Sequence, residues 1–125
     1  MQKYLLIALG GACGSLARYS VGVFVANRLG ARFHYGTLII NVTACMIIGF
    51  SLVFLERRTA IDTALLYLVP IGFVGAYSTF STFEWEIFSD VQAGSLLIGG
   101  GYLVLSIVLG LTGCWCGAMI ARAIS

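Results

Sequence analysis

The chain has 125 residues, of which 60% are hydrophobic and 10% charged, with a mean hydropathy of +1.01 and a formal net charge of +2. Soluble domains carry about half apolar and roughly a quarter charged residues, so this composition excludes an ordinary soluble domain. It contains no basic run suited to nucleic acid.

At about 20 residues per crossing, the length accommodates four membrane spans with short connections, and 1–125 reads as a single all-α transmembrane domain. The first span is predicted from about Tyr4 to Val25. Gly10 and Gly14 form a GxxxG face there, and small residues at that spacing let another helix come close in lipid. Arg18 lies deep enough to pair, to snorkel, or to face a polar cavity, so a structural anchor and a vestibule charge are both open readings. The first loop, Asn27 to Tyr35, holds Arg28, Arg32 and the single histidine, His34, which reads as an interfacial polar residue without a role. The second span, about Gly36 to Leu55, opens with Thr37 and carries Asn41 and Thr43. An amide without partners in a dry setting is costly, so Asn41 either bonds a neighbouring helix or lines a polar track.

The second loop, Glu56 to Thr63, reads ERRTAIDT and is predicted to be a solvated hairpin. Pro70 then weakens the third apolar run, and the stretch GFVGAYSTFSTFEWE from Gly72 to Glu86 breaks it. Gly72 and Gly75 disfavour helix, while Ser78, Thr79, Ser81 and Thr82 compete for backbone hydrogen bonds. Irregular backbone at membrane depth is tolerated where protein buries it or water reaches it, so this break predicts a site or a pathway; a kinked but packed helix is the alternative. Glu84, Glu86 and Asp90 mark the return to water. The fourth span, about Ser95 to Ala121, begins with Gly99, Gly100 and Gly101 and repeats Gly110, Gly113 and Gly117 as a close-packing face. Tyr102 and Ser106 share one side of it. Cys13, Cys45, Cys114 and Cys116 lack metal or redox spacing and read as small packing residues.

Four spans put both termini and the second loop on one side, with Lys3, Arg57, Arg58 and Arg122, against Arg28 and Arg32 opposite, with Arg18 leaning that way. So weak a bias permits insertion both ways and an antiparallel, dual-topology pairing of two copies.

Three segments carry a family resemblance over essentially the whole chain: GGACGSLARY at Gly10 to Tyr19, GTLIINVTAC at Gly36 to Cys45, and GFVGAYSTFSTFEWE at Gly72 to Glu86. The chain resembles the CrcB/Fluc family of fluoride channels, and the Thr-Phe-Ser-Thr-Phe run is the most specific part of the match. The resemblance implies an antiparallel homodimer in the cell membrane, in bacteria the inner membrane, with two fluoride pores and a sodium ion buried at the interface. It implies that Gly75 and Ser78 offer backbone carbonyls to that sodium, that Phe80 and Phe83 face the pore, and that Asn41, Thr79, Thr82, Tyr102 and Ser106 add donors along the anion's path. Arg18 matches the family's arginine. The chain departs from the family pattern at Ser78, where threonine is common, at Gly110, where a second serine is common, and at Glu84, where a small polar residue is more usual.

The function implied is passive, fluoride-selective export without covalent catalysis, with fluoride, lipid and a second copy of the chain as partners. A small proton-coupled multidrug exporter is the competing reading, but it needs a carboxylate in mid-span, where none of the five acids is expected. A non-transporting membrane assembly subunit would explain the glycine faces but not the polar break.

Overall fold

A computed structural model describes residues 1–30, 32–57 and 63–124, and every regular element among them is helical. α1 runs Gln2–Leu29, α2 Tyr35–Glu56 and α6 Leu96–Ile124. The third span is composite. It comprises α3 (Thr63–Leu66), a π-helical stretch over Tyr67–Val74, a single turn α4 (Gly75–Tyr77), and α5 (Phe80–Gln92). Four helical units, with Thr63–Gln92 taken as one, are long and apolar enough to cross a membrane, and the chain is a multi-pass membrane protein.

α1 and α2 outrun their predicted spans at both ends and α6 does so at its C-terminal end, because hydropathy marks the hydrocarbon layer while backbone pairing continues into the interface. α1 closes where Gly30 takes a positive φ of 77° and returns its N–H to Ala26 O at 3.0 Å. The first loop is accordingly shorter than predicted. Residues 58–62 of the predicted second loop, with Arg58 of the orientation count, lie outside the described residues. Arg57 just before them donates Nη1–H to Arg122 O at 3.3 Å, so the last turns of α2 and α6 end side by side.

Glycines organise the packing in two parallel pairs. A Cβ at Gly113 would stand 2.9 Å from the Val42 carbonyl oxygen, and one at Gly117 would collide with the Met46 carbonyl. Position numbers rise together on α2 and α6, which identifies a parallel seam in which backbone rests on backbone. α1 meets the third span in the same way. Gly10 lies against Leu68 and Phe73, and Gly14 against Phe73 and Tyr77. The triplet at the start of α6 contributes less than expected, since Gly99 packs against Asp90 while Gly100 and Gly101 face open space.

The third span is interrupted, and the interruption is displaced from its expected start. Gly72 is buried, and a Cβ there would stand 2.9 Å from Ile7 O and 3.1 Å from Gly10 Cα. Close approach to α1, rather than helix breaking, is what requires a glycine at this position. Pro70 lies inside the π-helical stretch, where its missing N–H removes one rung and the wider turn absorbs it. Ser78, with ψ at 156°, and Thr79, with φ at −145° and ψ at 106°, are extended, so one continuous rod through this span is excluded. Beyond α5, Gly94 adopts a φ of 76° and Ser95 N–H reaches back to Asp90 O at 2.8 Å, a tight C-terminal cap that sends the chain into α6. The outer surface is apolar, with Leu97, Leu111 and Trp115 among its exposed side chains, as a lipid-facing surface requires.

Candidate functional site

The break is built by one side chain on α2. Asn41 Oδ1 accepts the Thr79 N–H at 2.9 Å, and Asn41 Nδ2 donates to the Thr79 carbonyl at 3.1 Å. The amide therefore pairs both backbone groups of an extended residue, which would otherwise be orphaned in a dry setting. Thr79 is also the N-cap of α5. Its Oγ1 accepts the Thr82 N–H at 3.3 Å and donates to Thr82 Oγ1 at 2.8 Å. A neighbouring tie holds α4: Thr43 gives its one proton to α2 carbonyls, at 2.7 Å to Ile39 O and 3.0 Å to Ile40 O, so Tyr77 OH donates to Thr43 Oγ1 at 2.9 Å.

These bonds have a consequence for two carbonyls. In a continuous helix the Thr79 N–H would pair with Gly75 O, and the Thr82 N–H with Ser78 O. Both donors are instead engaged by side chains, those of Asn41 and Thr79. Gly75 and Ser78 thus keep carbonyl oxygens that lack their helical donors, at the C-terminal, negative end of a half-helix. Nothing stands within 4 Å of where a Gly75 side chain would be. Hard oxygen donors of this kind suit a cation such as sodium.

Five of the expected pathway residues, Asn41, Thr79, Phe80, Phe83 and Ser106, line one cavity of about 300 Å³, together with Ser78, expected as a sodium ligand. Ser106 Oγ is the one buried side-chain polar atom among the described residues that has no hydrogen-bond partner. The two phenylalanines differ in setting, although their ring centroids are 6.1 Å apart. Phe80 is 73% exposed, whereas Phe83 is 7% exposed and packs edge-on against Tyr102 at 5.1 Å.

Arg18 and Thr82 lie on a second cavity, of about 430 Å³, whose lining includes His34, Thr37, Thr79 and Glu86. Thr79 belongs to both cavities. Tyr102, fully buried, lines neither and reaches the second through its hydroxyl, which donates to Glu86 Oε2 at 2.8 Å. Thr37 donates to the other carboxylate oxygen, Oε1, at 2.7 Å.

In sequence Glu86 and Asp90 read as the return to water, Thr37 as a helix start, and His34 as interfacial. The structure joins all four: His34 Nε2 meets Asp90 Oδ2 at 3.1 Å while Nδ1 stands 3.7 Å from Glu86 Oε1. One signal was available in the sequence. Glu86 follows Phe83 by three positions and Asp90 follows it by seven, so both acids continue the helical face of the buried ring.

The profile of the family described as "CrcB-like protein, Camphor Resistance (CrcB)" matches residues 5–118. The chain belongs to the CrcB family. A protein of Acidobacterium capsulatum named "Fluoride-specific ion channel FluC" is 46% identical over 123 residues, 98% of each chain. A protein of the same name from Solibacter usitatus is 44% identical over 121 residues, covering 97% of this chain and 99% of its own. One from Citrifermentans bemidjiense, again so named, is 41% identical over 124 residues, 99% of this chain and all of its own.

Proposed function

We propose that this CrcB-family chain is a passive, fluoride-selective ion channel of the cell membrane, in bacteria the inner membrane, that lets cytoplasmic fluoride leave. The working unit is an antiparallel homodimer with two pores. The observation that carries the reading is the cavity at the break, where hydroxyl groups and the Asn41 amide meet the rings of Phe80 and Phe83. Fluoride is small and strongly hydrated, and a pore must replace its water with short donors held rigidly. Ring edges carry partial positive charge, enough to meet an anion without trapping it. The relatives' shared name, which specifies fluoride, points the same way.

A sodium ion held by the Gly75 and Ser78 carbonyls, with the matching pair from the second copy, completes the proposal. Its support is the loss of helical donors at those two oxygens. Because backbone oxygen is the ligand, serine in place of threonine at 78 leaves the donor unchanged. Arg18, on the larger cavity, is proposed as the charge that gathers anions at the vestibule.

A proton-coupled exporter would need a carboxylate free to take up protons. Glu86 stands between spans, but each of its oxygens already accepts a hydroxyl proton, and it lies toward the end of the third span rather than at its middle. Liposomes holding the purified protein, with equal pH on both sides, are expected to lose fluoride down its gradient and to retain chloride. Equal loss of both anions refutes selectivity, and liposomes that retain fluoride but move an organic cation against a pH gradient favour the multidrug exporter. Phe80→Ile and Phe83→Ile are each expected to abolish fluoride loss while the protein still elutes as the same oligomer. Wild-type rates in either variant would show that the ring is packing alone.

A further inference from the structure

His34 is placed where a proton changes the charge at one end of the larger cavity. Its ring sits in the connection between α1 and α2 and is packed 5.0 Å from the ring of Tyr102. Each ring nitrogen faces a carboxylate: Nε2 faces Asp90 Oδ2 at 3.1 Å, and Nδ1 faces Glu86 Oε1 at 3.7 Å. Neutral imidazole has a single N–H, so it satisfies one carboxylate and turns a lone pair toward the other. Only the imidazolium offers a donor to both.

The titratable and charged groups around His34 are these: Glu86 and Asp90 from α5, Tyr102 from α6, Arg18 and Tyr19 from α1 on the shared cavity, and Arg32 and Tyr35 on its own segment. Whatever Arg18 and Arg32 contribute to the cavity's field, protonation of His34 adds one positive charge beside both carboxylates, and loss of that proton removes it. Histidine is the side chain whose ordinary change of charge lies nearest physiological pH, which is why this geometry invites a test against pH.

We propose that His34 sets the anion throughput of the pathway according to pH: as imidazolium it cancels a carboxylate charge at the cavity that leads to the break, and as neutral imidazole it leaves that charge to repel fluoride. His34 acts through Glu86 and Asp90 and is a positioning residue. Glu86 is the link to the pathway, since Thr37 and Tyr102 hold it in place and its cavity shares Thr79 with the one lined by Phe80 and Phe83. The inference rests on the channel reading, and its test separates the two.

Fluoride current through the full chain in planar bilayers, at equal pH on both sides, is the measurement, because neutral hydrogen fluoride carries no current. Wild-type current is expected to be about three- to ten-fold larger near pH 5.5 than near pH 8, the size expected of one charge acting at several ångströms in a partly wet cavity. His34→Gln keeps a polar side chain of similar reach and is expected to hold one current across that range. Asp90→Asn, which removes a negative charge while leaving His34 and Glu86, is expected to exceed wild type near pH 8. Since the chain has one histidine, its ring signal in nuclear magnetic resonance needs no assignment, and it is expected to titrate over the range in which the current changes. A His34→Gln variant with the wild-type pH profile overturns the proposal, as does a wild-type ring that keeps one protonation state throughout. Wild-type protein that carries no fluoride current at any pH overturns the channel reading itself, whatever the ring does.

Discussion

α2 makes two contacts of opposite character at the same level, Asn41 being next to Val42 in sequence. Toward α6, Val42 and Met46 offer carbonyls to Gly113 and Gly117, and the partner adds only shape. Toward the third span, Asn41 supplies hydrogen bonds that Thr79 does not make within its own helix. Helix association in lipid draws on contact and on polar pairing, and here the two are separated onto different faces of one helix. The seam is intolerant of volume, whereas the bridge is intolerant of a missing donor or acceptor.

Gly117→Val is expected to break the comparison most severely on the seam side. Its Cβ would overlap the Met46 carbonyl, which cannot yield without moving backbone, and overpacking of that kind costs about 3 kcal/mol or more. Thermal unfolding in detergent reads it, and a wild-type melt would show that the seam can spread. Asn41→Leu preserves bulk on the other face and leaves Thr79 N–H and C=O unpaired, a cost of about 1–3 kcal/mol for each group. The same melt, with a loss of fluoride flux, checks it; Asn41→Leu as stable as wild type would mean that the break holds itself. Ser106→Ala sharpens the comparison with the smallest effect. Its hydroxyl is buried and without a partner, so stability is expected to change by less than about 1 kcal/mol or to rise slightly. Flux is nonetheless expected to fall several-fold if that hydroxyl serves the passing anion, and unaltered flux would remove Ser106 from the pathway.

Much of this was legible in the residues. GxxxG spacing on α1 and the Gly110, Gly113 and Gly117 series announced close helix contacts, because only small side chains at helical spacing permit them. The hydroxyl-rich run announced a break, although Gly72 drew attention too early along the chain. What stayed hidden were contacts between elements distant in sequence. His34 and Asp90 are 56 positions apart, and nothing local marks them as neighbours. Thr37 looked like a helix start until α5 and α6 brought Glu86 and Tyr102 beside it. Asn41 was seen to need partners, but which backbone it would serve depended on where the third span became extended.

The two parallel seams impose an order of assembly. Consecutive spans run in opposite directions, so neither tight pairing can form inside a hairpin of neighbours. α1 must wait in the bilayer until the third span is inserted, and α2 until α6 arrives. The ribosome therefore finishes the last helix before the second has its closest companion, and a chain halted after α5 would leave the Val42 and Met46 face of α2 uncovered.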